Sequence, residues 1–144
     1  MDQLLRLLIF GAGLFTLVLG MIHFFLPLLL DYKTVVLERP STWKAPRPFR
    51  VWLTRYVVQP RDLYGIVWVM NHAASYTLVS IGLVDLFSGV WLHTDLGRLL
   101  ALWIAAWWLL RAASQLYFGR RVGDRLILAW FAALGILHLW AILP

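Results

Sequence analysis

An all-helical integral membrane protein is the fold class this sequence predicts: a bundle of four transmembrane helices in one domain, 1–144. Three observations predict it. Hydrophobic residues make up 62% of the 144 and charged residues only 14%, whereas a soluble domain is about half apolar and a quarter charged. Four separate stretches approach or exceed the ~20 mostly apolar residues that a membrane-crossing helix needs. Nine residues are Trp, whose indole favours the boundary between membrane and water. No alternation with period two runs through the chain, so a membrane β-barrel is not expected.

The first span is read at 4–30. Its apolar run is about twice the 7–15 residues of a signal peptide's core and lacks an A-x-A-like end, so it reads as a retained membrane helix. The second span is read at 63–90, the third at 96–118 and the fourth at 126–143. Between the first two lies a long loop containing "RPSTWKAPRP", whose prolines favour extended or turned backbone. "FRVWLTRYVVQP" follows. Phe49, Trp52, Leu53 and Tyr56 fall on one helical face there, with Arg50 and Arg55 off it. That pattern predicts a short amphipathic helix over 48–59, lying in the headgroup plane with those four residues toward the membrane.

Orientation follows from the cations. Lys33, Arg39, Lys44, Arg47, Arg50, Arg55 and Arg61 lie in the first loop, and Arg120, Arg121 and Arg125 in the third; the second loop holds only Arg98. Loops rich in Lys and Arg stay in the cytoplasm. Both termini are therefore expected outside it, in a layout that suits a bacterial inner membrane. The net charge of +6 then has anionic lipid headgroups as its partner. No soluble basic module is present to bind nucleic acid. The absence of cysteine excludes disulfides, thiolate catalysis and Cys-based metal sites.

Candidate site residues come from polar side chains inside the spans. At 1.5 Å per residue, His23 lies about 12 Å below the cytoplasmic boundary, His72 about 15 Å and Arg111 about 13 Å. Gly13, Thr16, Gly20, His23 and Pro27 form one stripe of the first span. Gly65, Trp68, His72, Ser75 and Gly82 form one on the second, with Asn71 beside it. Ser114 and Gln115 lie near the face of Arg111. These residues predict a polar site in the inner half of the membrane, built from His23, Asn71, His72, Ser75, Arg111 and Gln115. His138 follows Gly135 as His23 follows Gly20, but counts to about 21 Å from the cytoplasmic side. The repeated G-x-x-H phrase therefore reads as a packing device used twice.

Each residue alone also reads as interhelical packing, worth about 1 kcal/mol. Arg111 stands apart, because a charge at mid-membrane costs at least about 2.5–3.5 kcal/mol and no carboxylate lies at its depth. No residue is assigned a catalytic role. The favoured expectation is a small non-enzymatic protein, an accessory subunit of a membrane complex or a binder of lipid or quinone, with a membrane-protein partner or a second copy as possible company. The alternatives are a haem b carrier with His23 and His72 as axial ligands, and a lipid-active enzyme using His23 or His72 as base with Arg111 binding an oxyanion.

Overall fold

The computed structural model describes residues 2–38, 49–51, 54–56, 59–117 and 121–143. Four of its helical stretches are long and apolar enough to cross a membrane: Gln3–Glu38, Pro60–Leu86, Asp95–Tyr117 and Val122–Trp140. Within them the helices proper are α1 (Asp2–Leu29), α2 (Pro60–Leu86), α4 (Asp95–Ser114) and α5 (Val122–Trp140), with a one-turn α3 (Ser88–Trp91) after α2.

Local chemistry sets the ends. Helix α1 stops where Asp31 turns left-handed at φ 44°, a conformation that Asp tolerates better than most residues. Pro60 opens α2, where its missing N–H costs nothing, and the Asp62 carboxylate accepts the Gln59 N–H at 2.9 Å. The second span ends earlier than predicted, because the chain breaks at Phe87 and restarts as α3. Thr94 caps α4 by accepting the Gly97 N–H at 2.9 Å, and Asp124 accepts the Arg121 N–H at the start of α5, 3.2 Å.

The expected interfacial helix over 48–59 is not what forms. Phe49–Val51 and Thr54–Tyr56 pair as an antiparallel hairpin, β1 and β2, with Phe49 opposite Tyr56 and Val51 opposite Thr54. Val, Thr and aromatic residues suit a pleated strand better than a helix. Trp52 and Leu53 lie outside the described residues, as does most of the basic first loop. Apart from this hairpin, the described elements are helical.

The chain divides into two compact units. In the unit formed by Met1–Leu17 and Ser80–Pro144, Ile9, Ile81, Ile104, Trp108 and Phe131 are buried, and Ile9 packs in a cluster with Leu5, Trp91, Leu92 and Ala101. Helix α1 meets the end of α2 backbone to backbone: a Cβ added to Gly82 would lie 2.7 Å from the Leu17 nitrogen and 2.9 Å from the Gly13 oxygen. Helices α4 and α5 run antiparallel, with Gly135 against Leu109 and Ala105. In the unit Val18–Val79, Gly20 lets α1 close on Leu78 and Val79. The opposite faces carry exposed large apolar side chains on every long helix, a distribution compatible with an integral membrane protein.

Candidate functional site

In the unit Val18–Val79 the polar contacts start from a proline. Pro27 lies inside α1 and has no N–H, so the carbonyl of His23, four residues back, loses its helical donor. The Asn71 side chain on α2 supplies one, donating its Nδ2–H to that oxygen at 2.8 Å. In hydrocarbon an unpaired carbonyl costs several kcal/mol, and a neighbouring helix is the usual remedy. Ser75 is wholly buried and donates to the Asn71 carbonyl at 2.7 Å. Both side chains are thus engaged with backbone.

The predicted α2 stripe holds at Ser75 and Gly82, but at the next turn Asn71 rather than His72 takes the inward place. Asn71, Ser75, Leu78, Gly82 and Asp85 are buried, whereas His72 and Gly65 are exposed. The His72 ring rests 5.1 Å from Trp68 and 5.8 Å from Phe24, centroid to centroid. A bis-histidine haem site needs His72 on the inward face, which Asn71 occupies instead. On α1 the predicted stripe holds: Gly13, Thr16, Gly20 and Pro27 are buried and His23 is half-buried.

In the other unit, sequence reasoning passed over the most buried polar pair. Asp85 and His138 have no exposed surface. His138 Nε2 lies 3.1 and 3.2 Å from the two carboxylate oxygens of Asp85. Its Nδ1 lies 2.8 Å from the Leu134 carbonyl. A carbonyl only accepts, so Nδ1 carries a hydrogen. One further proton is then shared between Nε2 and the carboxylate, and the pair is neutral overall whichever atom holds it. Both ring nitrogens are occupied, so His138 offers no free lone pair to a metal or a substrate. Gly13 abuts the same place, since a Cβ there would lie 2.7 Å from the Asp85 Cβ.

The signal for this pair was present but was measured from the wrong end. Asp85 precedes the last residue of α2, and His138 lies two residues before the end of α5. Counted from those ends the two match. Counted from the opposite ends they do not, because α2 begins at Pro60 and is eight residues longer than α5.

Arg111, in the last turn of α4, is half-buried, with its guanidinium carbon 5.8 Å from the centre of the Phe131 ring. It forms no ion pair among the described residues. Gln115, one turn on, is buried and its side chain makes no hydrogen bond among them. Two polar atoms are buried outright without an acceptor among the described residues, the indole N–H groups of Trp68 and Trp108. No group of three or more His, Cys, Asp or Glu suited to a metal ion occurs among the described residues. The six predicted site residues therefore fall into two sets, His23, Asn71, His72 and Ser75 in one unit and Arg111 and Gln115 in the other.

Between α1 and α5 lies a cleft of about 420 Å³, bordered by Leu7, Gly11, Phe15, Trp130, Ala133 and Leu137 among others, with no charged, hydroxyl or amide side chain on its wall. Phe15 and Trp130 meet edge to face at 5.2 Å. Comparison with protein families, with curated proteins and with solved structures gave no match.

Proposed function

We propose that this protein is a non-enzymatic membrane protein that holds the apolar chain of a lipid or quinone in the cleft between α1 and α5. The observation that carries the reading is the cleft itself. Its volume of 420 Å³ falls within the ~300–1,000 Å³ usual for ligand sites. Its wall of Leu, Gly, Ala, Phe and Trp can take a hydrocarbon tail but cannot orient a polar reactant. The polar side chains best suited to chemistry, Asn71, Ser75, Asp85 and His138, are spent on backbone or on each other, which supports binding rather than catalysis.

Filling the cleft tests it. Ala133→Trp projects an indole into the space, and native mass spectrometry of the detergent-solubilised chain with added diacylglycerol reads occupancy. We expect bound diacylglycerol in the parent protein and a loss of at least about tenfold in the variant, the equivalent of 1.4 kcal/mol. Equal occupancy in both would remove the reading.

A further inference from the structure

We propose that Arg111 and Gln115 form a second site, which binds the phosphate of an anionic phospholipid at the α4 end that packs on α5. It shares with the preceding reading only that the helices sit in lipid, and it uses a different face of α5.

The first step concerns where the guanidinium lies. Gly135 of α5 packs against Ala105 and Leu109 of α4. The helices are antiparallel, so one turn back on α5, at Phe131, corresponds to one turn forward on α4, at 109–113. Phe131 is thus level with Arg111, and the guanidinium packs across onto its ring at 5.8 Å. A snorkelling arginine would run along the helix toward the headgroups. This one is held at its own depth.

The second step is the count of donors. A guanidinium has five N–H groups in a planar fork and cannot shed its charge. The Phe131 ring supplies attraction for the cation but no hydrogen-bond acceptor for those donors. One turn on, Gln115 is only 8% exposed, and its amide, with two N–H donors and one acceptor oxygen, has no hydrogen bond among the described residues. Ser114 does not help, since its single hydroxyl hydrogen is shared between the Leu110 and Arg111 carbonyls of its own helix. The carboxylate at the start of α5, Asp124, is engaged in capping its own helix. Arg121 and Arg125 lie in the same first turn and add positive charge.

The third step is the ligand. Unmet donors in a fork select a planar or tetrahedral group with several anionic oxygens, and phosphate suits this geometry. The surroundings select its carrier. Leu110 and Leu116 flank the site and are 71% and 75% exposed, so they offer apolar surface to acyl chains and none to a hydrated ion. A phospholipid brings both parts. A net negative one is preferred, because the ammonium of a zwitterionic headgroup would meet Arg111, Arg121 and Arg125.

The test uses the full chain in neutral detergent, with phosphatidylglycerol, phosphatidylcholine or inorganic phosphate added, read by native mass spectrometry and by thermal shift. We expect phosphatidylglycerol to bind and raise the melting temperature, and the other two to do so far less. Hydrogen bonds to a charged group are about twice as strong as neutral ones, so Arg111→Leu should weaken phosphatidylglycerol binding by about tenfold or more. Arg111→Lys keeps the charge without the fork and should fall between, as should Gln115→Leu. Three results would overturn the proposal: equal phosphatidylglycerol occupancy in the parent and Arg111→Leu, equal binding of phosphatidylcholine, or full stabilisation by inorganic phosphate alone. The cleft is scored with diacylglycerol, which has no phosphate, so failure of one site does not imitate failure of the other.

Discussion

At the scale of single residues, two pairs decide how polar groups survive in an apolar interior. The first is Asn71 with the His23 carbonyl that Pro27 leaves open. Asn71→Leu should destabilise by about 1–3 kcal/mol, the cost of a buried acceptor left unmet. Pro27→Ala restores the missing N–H, so it should recover most of that loss in the Asn71→Leu background; an unfolding titration in mixed micelles reads both. No recovery would mean that Asn71 does something other than replace the proline's donor. The second pair is Asp85 with His138. Ordinary interhelical hydrogen bonds in membranes couple by about 0.6 kcal/mol, with a maximum near 1.7. Removing one partner of a wholly buried ionisable pair costs about 3–5 kcal/mol. Asp85→Leu and His138→Leu should each be severely destabilising, and the double variant should be milder than their sum by more than about 1.7 kcal/mol. Coupling below that figure would make the pair ordinary packing.

At the scale of elements, the sequence was most legible where one physical cause dominates. Length and hydropathy alone determine the four long apolar stretches, and their predicted limits fall within a few residues of the helices, apart from the break at Phe87. The buried stripe of α1 was legible because Gly13, Thr16 and Gly20 are small and regularly spaced. The stripe of α2 was legible at Ser75 and Gly82 but not at 71–72, because Asn71 and His72 are adjacent and a 100° rotation separates them. The contacts of Gly82 and Gly20 with the neighbouring backbone and side chains choose between the two, and no local pattern does. Over 49–56 the stretch is too short for period 2 and period 3.6 to be told apart, and strand propensity won. The glycines supply a prediction. Ala is favoured over Gly in a helix by about 1 kcal/mol. Gly65 has nothing within 4 Å of an added Cβ, whereas at Gly82 backbone atoms lie 2.7–2.9 Å away. Gly65→Ala should therefore raise the melting temperature slightly, and Gly82→Ala should lower it despite the same gain in propensity.

At the scale of the whole molecule, what remains is the direction in which the chain threads a membrane. Four helices long and apolar enough to cross a membrane would return both termini to one side. Ten of the eleven Lys and Arg residues in the three loops lie in the first and third, and cations in short loops resist translocation. The termini should therefore lie outside the cytoplasm. The polar residues add weight to this direction. Arg111, Arg121 and Arg125 gather at the α4–α5 end that the charge bias assigns to the cytoplasm, where the leaflet carries its anionic lipids. The neutral Asp85–His138 pair lies at the opposite ends of α2 and α5, where no such lipids are needed. A reporter active only outside the cytoplasm, fused after Pro144, should be active, and one active only inside should be silent. Moving charge should matter more than moving length: replacing Arg120, Arg121 and Arg125 by Gln while adding three Lys beside Arg98 should produce a mixed population. A C-terminus reached only from the cytoplasm in the parent chain would reverse the assignment of leaflets, and with it the expectation that the Arg111 site draws its phospholipid from the cytoplasmic side.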